Sequence, residues 1–256
     1  MKTRGKIIIA NWKMNPAGRD GAVALARQIE SELEECRWVE VVVAPPAPFI
    51  LPVSQVLRRA KLGAQNAFWE EAGPYTGETS WSQLKDLGVD HVILGHSERR
   101  IHLAESDEMI ARKVASVAGH EMKAVVCVGE RNRPDADISA EVETQLRAAI
   151  AGLKRSLLKN VIVCYEPVWA ISTMPGSSPD TPDNAFRAGV YIRKIVADMF
   201  GVASSDDIRV IYGGSVTADN VAGFFSDGNM EGALVGGASL RAEEFGKIAR
   251  LADEKH

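Results

Sequence analysis

The chain of 256 residues has an ordinary globular composition, with 46% hydrophobic and 25% charged residues and a net charge of −4. This composition excludes a largely disordered, collagen-like or coiled-coil protein. The 34 acidic residues outnumber the 30 basic ones, so there is no positive surplus for nucleic acid or an anionic membrane surface. We therefore expect neither nucleic acid nor a membrane as a partner.

The cysteines and the start of the chain bear on cellular location. Cys36, Cys127 and Cys164 are odd in number and form no C-x-x-C pair, which favours a reducing compartment over a disulfide framework or a zinc site. No apolar run reaches the roughly 20 residues that cross a bilayer, and the first residues carry no cleavage signal. We expect a cytoplasmic protein.

Eight short, mostly β-branched runs alternate with segments of helical period. The runs cover residues 7–9, 41–43, 62–64, 91–94, 125–128, 161–163, 210–212 and 233–235. Most are apolar throughout, which is typical of strands buried on both faces of a parallel sheet.

The segments between the runs predict helices that cover such a sheet. One apolar face comprises Ala22, Leu25, Ala26, Ile29 and Leu33, and another comprises Val142, Leu146, Ala149, Ile150, Leu153 and Leu157. Thr181 before Pro182 predicts an N-cap and a first helical residue, opening a helix that carries Phe186 and Val190. Trp81, Phe224 and Phe225 are interpreted as packing residues.

Strand number and length together favour a closed barrel. A barrel of eight βα units needs about 250 residues, whereas an open doubly wound sheet has fewer strands and a glycine-rich turn after the first. Here the first run leads into Asn11-Trp12-Lys13, without that turn, and no linker divides the chain. We predict a single α/β barrel domain over residues 1–256.

In such a barrel the active site lies at the carboxyl ends of the strands. Asn11 and Lys13 follow the first run, His96 the fourth and Glu166 the sixth. A spacing of two on an extended segment predicts that Asn11 and Lys13 point the same way. Each residue alone could have a purely structural role, such as a capping histidine or a surface lysine. Their shared position at the strand ends favours a single functional site.

Two glycine-rich turns follow the last two runs. Gly213-Gly214-Ser215 comes after the seventh run, and Gly236-Gly237 comes after the eighth, just before a short helical start. Unobstructed backbone N–H groups of this kind suit a phosphate group.

Several strings of the sequence, in this order, resemble the triosephosphate isomerase family over essentially the whole chain. They are ANWKMN (10–15), GAQN (63–66), TGE (76–78), GHSERR (95–100), CVGE (127–130), YEPVWAI (165–171), YGGSV (212–216) and LVGGASL (234–240). The resemblance implies a (β/α)8 TIM barrel that interconverts dihydroxyacetone phosphate and glyceraldehyde 3-phosphate, needing neither cofactor nor metal.

The resemblance also implies roles for particular residues. Glu166 would be the base and His96 a neutral imidazole that polarises the carbonyl, with Lys13 and Asn11 supporting the same oxygens. Glu98 would pair with Lys13 and hold its ammonium in place. The phosphate would rest on Gly236, Gly237, Ser215 and the N–H of Ser172.

The segment after Glu166 departs from the family pattern. Where the family loop reads Gly-Thr-Gly-Lys after PVWAI, this chain runs from Ser172 to Pro179, with three extra residues before the next helix. A φ above zero would strain Ser172. We expect a lid that hinges at Gly176 and is latched by Tyr212 and Ser215.

The loop from Gln65 to Glu78 is longer than a simple βα connection requires, and it resembles the interdigitating loop of the family. It implies a homodimer in which Thr76 lies near the partner's Asn11 and the partner's Lys13. The alternative is an exposed surface loop without a partner.

Two other functions stay open at this stage. The altered lid allows an isomerase or racemase of a related keto-sugar phosphate, such as a tetrulose phosphate. A catalytically weak barrel with a binding role is the other, and it is disfavoured by the presence of Asn11, Lys13, His96 and Glu166 together.

Overall fold

A computed structural model describes residues 5–133, 138–172 and 175–254. Its eight strands are all parallel and close into a barrel in sequence order, with β1 beside β8. They are β1 (Ile7–Asn11), β2 (Glu40–Ala44), β3 (Lys61–Ala64), β4 (Val89–Leu94), β5 (Lys123–Val128), β6 (Val161–Tyr165), β7 (Arg209–Tyr212) and β8 (Gly232–Val235). Every predicted run lies in one of these strands, and the predicted (β/α)8 barrel is confirmed.

Helices return the chain along the outside of the barrel. Those described are α1 (Arg19–Glu32), α2 (Ile50–Ser54), α3 (Trp81–Asp86), α4 (Ser97–His102), α5 (Asp107–Gly119), α6 (Ala140–Ile150), α7 (Pro182–Phe200), α8 (Val221–Ser226) and α9 (Ala242–Asp253). Thr181 caps α7 as predicted, because its side chain accepts the N–H of Asn184. None of the described helices is long and apolar enough to cross a membrane.

One helix is shorter than its apolar pattern predicts. α6 ends at Ile150, so Leu153 and Leu157 lie beyond it, and Leu157 belongs to a separate 3₁₀ helix (Arg155–Asn160). Gly152 lies in the intervening turn, where its low helix propensity favours the break.

The apolar strands separate two cores. One fills the barrel and includes Ile7, Ile9, Val42, Ala44, Ile93, Val125, Cys127, Ile162, Cys164, Ile211 and Leu234. The other lies between the strands and the helices, where Phe224 and Phe225 are buried and Trp81 packs at the edge. Each large aliphatic side chain buried in this way stabilises the fold by about 1.5–3 kcal/mol. The carboxyl ends of the strands are therefore held by packing on both faces.

Candidate active site

A cavity of about 230 Å³ lies at the carboxyl end of the barrel. Eight of the residues predicted from the sequence line it together, namely Asn11, Lys13, His96, Glu166, Ser172, Ser215, Gly236 and Gly237. They come from positions far apart in the chain, and the barrel brings them to one mouth. The other two predicted residues, Glu98 and Tyr212, lie behind this lining.

The imidazole of His96 and the carboxylate of Glu166 face each other at the bottom of the cavity. His96 Nε2 lies 2.9 Å from Glu166 Oε1, and both side chains are almost fully buried. His96 Nδ1 accepts the backbone N–H of Glu98 at 3.2 Å, at the start of α4. A nitrogen that accepts an N–H carries no proton, so the ring is neutral and Nε2 is the donor.

Two glycines allow the backbone of Glu166 to reach this position. Glu166 N–H donates to Val128 O at 2.8 Å, which draws the strand ends together. A Cβ on Gly129 would lie 1.9 Å from Glu166 O, and one on Gly213 would lie 2.4 Å from Cys164 Sγ. A larger residue at position 129 would therefore collide with the backbone of Glu166, and one at position 213 would collide with the side chain of Cys164, two residues before Glu166.

The surroundings keep Glu166 ionised. Burial raises the pKa of Glu166, but His96, the Ser97 N–H and Lys13 lower it, and the net shift is downward. Burial lowers the pKa of His96, while Glu166 and Glu98 raise it, with a net upward shift in this arrangement. The largest upward contribution, that of Glu166, is lost when its carboxylate turns away, and the acceptor role of Nδ1 favours the neutral ring.

Ser97 is part of the site, although the sequence analysis gave it no role. Its N–H donates to Glu166 Oε2 at 3.0 Å, and its hydroxyl donates to Glu166 Oε1 at 3.2 Å. Its position directly after a strand-end histidine, at the first residue of a helix, is the sequence feature that could have identified it. Ser97 and His96 together hold the carboxylate in this position.

Lys13 reaches the cavity by a route that differs from the prediction. β1 ends at Asn11, and Lys13 has a φ of +53°, so strand alternation does not align the two side chains. Instead, Asn11 Oδ1 accepts the Lys13 N–H at 3.0 Å, and Gln65 donates to Lys13 O at 2.8 Å. The predicted ion pair is present, with Lys13 Nζ 2.6 Å from Glu98 Oε1. Backbone strain at a non-glycine residue is thus maintained by the side chain of Asn11, two residues earlier, and by that of Gln65 from the loop after β3.

The glycine-rich turns open onto the cavity beside this ammonium. Gly236 precedes a 3₁₀ helix (Gly237–Leu240), and a Cβ on Gly236 would lie 3.4 Å from Lys13 Cε. A Cβ on Gly237 would meet no atom within 4 Å, so its backbone faces open space. Backbone N–H groups next to a lysine form a suitable cradle for a doubly charged phosphate.

The loop after Glu166 is tied to the barrel at its start. Ser172 N–H donates to Ser215 Oγ at 2.8 Å, and that hydroxyl donates to Ala170 O at 2.8 Å. Ser172 is not among the residues with positive φ in the described parts of the chain, so the strain considered for it is absent there, whereas Gly176 has a φ of +73°. Thr173 and Met174, which belong to the predicted lid, lie outside the described residues.

A buried polar cluster anchors both ends of this loop. Glu130 Oε1 accepts from the Tyr165 hydroxyl at 2.8 Å and from Trp169 Nε1 at 2.7 Å. At the far end, Asn184 Nδ2 donates to the Tyr165 hydroxyl at 3.1 Å and to Asp180 Oδ1 at 2.9 Å. The sequence analysis missed Glu130 and Asp180.

Tyr212, predicted as a latch, belongs to the same region. Its ring is buried against Phe224, and its hydroxyl interacts with Asp180. Burial raises the pKa of Tyr212 far above its usual range, with Asp180 adding to the shift, so the hydroxyl stays protonated and can act as a donor.

A group of possible metal ligands lies at the opposite end of the barrel. Among the described residues, Glu40, Asp90 and His91 have ligand atoms close enough together to hold a metal ion. Lys61 Nζ already lies 2.9 Å from Glu40 and 3.0 Å from Asp90, and Arg209 lies 2.6 Å from Glu40. These cations neutralise the carboxylates, and the group functions as an ion-pair network that closes the barrel floor.

Fold and site together define a barrel enzyme that works by acid–base chemistry. It carries a buried carboxylate, a neutral imidazole and an ammonium at the carboxyl ends of its strands.

Comparison with known proteins specifies the family. The family model for triosephosphate isomerase matches residues 6–252. A triosephosphate isomerase of Caldanaerobacter subterraneus subsp. tengcongensis is 42% identical over 249 residues, which is 96% of this chain and 98% of the relative. Another from Chloroherpeton thalassium is 41% identical over 257 residues, covering 98% and 100% of the two chains. The chain belongs to the triosephosphate isomerase family.

Proposed function

We propose that the protein interconverts dihydroxyacetone phosphate and D-glyceraldehyde 3-phosphate by moving a proton between adjacent carbons through an enediolate. One observation carries the proposal: His96 Nε2 and Glu166 Oε1 lie 2.9 Å apart, in a cavity with Lys13 and the backbone of Gly236 and Gly237. Family membership supports a phosphorylated triose as the substrate.

Glu166 is the proposed base. Its lowered pKa leaves it ionised, which a base requires before it takes a proton from carbon. In the structure its oxygens are bonded to Ser97 and His96, so the carboxylate must turn toward the substrate before it can act. Breaking these bonds also exposes His96 Nε2–H to the substrate.

His96 and Lys13 are the proposed electrophiles. As the base removes the proton, negative charge develops on the neighbouring oxygen, and donors placed at that oxygen lower the barrier. The Nε2–H of a neutral His96 can donate to it, since Nδ1 is held as an acceptor by Glu98 N–H. Lys13, held by Glu98, adds positive charge, and the Asn11 side chain lines the same wall.

The phosphate is proposed to rest on Gly236, Gly237, Ser215 and the N–H of Ser172. Ser172 N–H donates to Ser215 Oγ, so phosphate binding would exchange that bond for one to the substrate. We propose that the loop from Ser172 to Pro179 then covers the cavity. Exclusion of water protects an enediolate phosphate from losing its phosphate group.

We also propose a homodimer formed through the loop from Gln65 to Glu78. The exposed apolar side chains of Met14, Tyr75, Ile101 and Leu103 support it. Met14 and Tyr75 lie on the loops that follow β1 and β3, and Ile101 and Leu103 lie in and directly after α4, which follows β4. Several exposed large apolar side chains at one end of a barrel suit a surface that contacts another protein chain. Thr76 is proposed to lie near the partner's Asn11 and the partner's Lys13.

A cytoplasmic location is proposed on the cysteines. Cys36, Cys127 and Cys164 are all free and buried, as is usual for a protein that works in a reducing compartment.

The proposed activity is tested by following isomerisation of both triose phosphates with purified protein, beside a tetrulose phosphate as the specificity control. Glu166→Asp withdraws the carboxylate by about one methylene, and a displacement of about 1 Å costs on the order of 10²-fold in kcat. The exposed Glu121→Asp is the matched control and should leave kcat unchanged. Preference for the tetrulose phosphate, or equal activity of Glu166→Asp, would overturn the assignment.

A further inference from the structure

Gln145 is a buried polar residue that the proposed mechanism does not use. It lies on α6, outside the barrel, and is only 6% exposed. Its side-chain amide makes two hydrogen bonds to Gly129, the first residue after β5. Oε1 accepts the Gly129 N–H at 2.9 Å, and Nε2 donates to Gly129 O at 3.2 Å. Within the described residues, these are the hydrogen bonds that the Gly129 backbone makes.

Gly129 lies directly against the backbone of the proposed base. A Cβ on Gly129 would lie 1.9 Å from Glu166 O, so the two main chains are in close contact. The residues on either side of Gly129 bond to the same segment. Glu166 N–H donates to Val128 O at 2.8 Å, and Val168 N–H donates to Glu130 O at 3.0 Å. The position of the Glu166 main chain therefore depends on the position of Gly129.

A third hydrogen bond holds the Gln145 amide in one orientation. Gln145 Nε2 also donates to Glu141 Oε1 at 3.3 Å, one helical turn earlier on α6. An ionised carboxylate only accepts hydrogen bonds, so this contact directs the NH₂ group toward Glu141 and Gly129 O, and leaves the oxygen for the Gly129 N–H. An amide offers both a donor and an acceptor, whereas an apolar or singly charged side chain would leave at least one Gly129 group unpaired.

We propose that Gln145 is a positioning residue for the isomerase reaction: its amide, acting through Gly129, fixes the backbone from which the Glu166 carboxylate turns toward the substrate. The inference rests on the proposed function, in which Glu166 is the base. The carboxylate leaves its bonds to Ser97 and His96 and reaches the substrate carbon only if its main chain stays in place. A displacement of about 1 Å costs on the order of 10²-fold in rate, and loss of the two bonds to Gly129 permits part of such a displacement.

Gln145→Met tests the proposal, because methionine is similar in length and shape but bonds neither group of Gly129. Gln145→Asn is the second variant, since it keeps a polar amide but shortens its reach by one methylene group. Val142→Ala is the matched control: it removes buried methyl groups from the same helix and leaves both bonds to Gly129 in place. For each protein that circular dichroism shows to be folded, steady-state assays give kcat and KM for glyceraldehyde 3-phosphate and the inhibition constant of inorganic phosphate.

With either Gln145 variant, we expect kcat to fall about tenfold or more, because the base is displaced. KM and the inhibition constant of phosphate should stay within about twofold of the native values, since the phosphate is proposed to rest on Gly236 and Gly237, after β8. Val142→Ala should keep the native kcat.

A merely structural role for Gln145 predicts the native kcat in whichever of its variants folds, and that result would overturn the proposal. An equal loss of kcat in Val142→Ala would overturn it too, as would a parallel rise in the inhibition constant of phosphate, which indicates a general distortion of the site. Absence of isomerisation by the native protein would instead refute the proposed function itself.

Discussion

Glu105→Gln removes the charge that neutralises a buried lysine. Lys113 Nζ lies 2.5 Å from Glu105 Oε1, and both side chains are only 2% exposed. Lys113 also donates to Asn66 Oδ1 at 2.9 Å, and Arg99 Nε contacts Glu105 at 2.7 Å. The arrangement ties α5 to the segment that follows α4 and to the base of the loop after β3.

The expected loss of stability is large because Lys113 cannot reach water. Breaking a buried ion pair by removing one partner costs about 3–5 kcal/mol, most of it from the charge left behind. Arg99 contributes less, since its side chain is 30% exposed and can turn to solvent. Adding Lys113→Met to Glu105→Gln removes the stranded charge and should recover about 2 kcal/mol.

Urea unfolding followed by circular dichroism measures these changes, at one fixed protein concentration because the proposed dimerisation would add to apparent stability. Glu70→Gln is the matched control. It breaks an ion pair of 3.0 Å with Arg112, which lies on α5 next to Lys113, but the Glu70 and Arg112 side chains are 42% and 56% exposed. The control should cost less than about 1 kcal/mol. A loss for Glu105→Gln as small as that of the control would refute the reasoning.

The same pair sets an acid limit on stability. Burial raises the pKa of Glu105, but Lys113 and Arg99 lower it, and the net shift is downward. A lowered folded-state pKa gives stability that is fully present above the unfolded value of about 4.3 and is lost as pH falls through the folded value. Glu105→Gln should therefore flatten the loss of stability between about pH 5 and pH 3.

Three further changes test the site and the assembly. Gly129→Ala would bring a Cβ to 1.9 Å from Glu166 O, so kcat should fall by on the order of 10²-fold in a steady-state assay. Glu98→Gln removes the partner 2.6 Å from Lys13, and kcat/KM should fall about tenfold, while an unchanged value would exclude a positioning role for Glu98. Tyr75→Asp places a charge on the proposed contact loop, and light scattering should detect a shift from dimer to monomer mass.

The strands and the strand-end residues could be predicted because each depends on a local pattern. Runs such as 125–128 and 161–163 are apolar throughout, which predicts strands buried on both faces of a parallel sheet. Few folds other than a closed barrel accommodate eight such strands. Once the barrel is inferred, His96 and Glu166 must share a mouth, since parallel strands end on the same side. Their separation of 2.9 Å, however, follows from close packing at Gly129 and Gly213, which no periodicity encodes.

Lys13 shows where local reasoning fails. The prediction placed it on an extended segment, but its φ of +53° turns the chain at that residue. The bonds that hold this conformation come from Asn11, two residues away, and from Gln65, on the loop after β3. A backbone angle fixed by a distant side chain leaves no trace in the spacing of its own segment.

A second cavity, of about 250 Å³, lies beside Ser97, Gln145 and Glu166 and is harder still to foresee, because it is a volume that several elements leave unfilled. Gln145 gives the one clue in the sequence, as a polar residue beside Leu146 on the helix that covers β5. Its side-chain amide bonds both the N–H and the O of Gly129, at 2.9 and 3.2 Å, where an apolar residue would leave both groups unpaired. A buried amide that supports the turn behind Glu166 therefore makes the wall of this cavity polar.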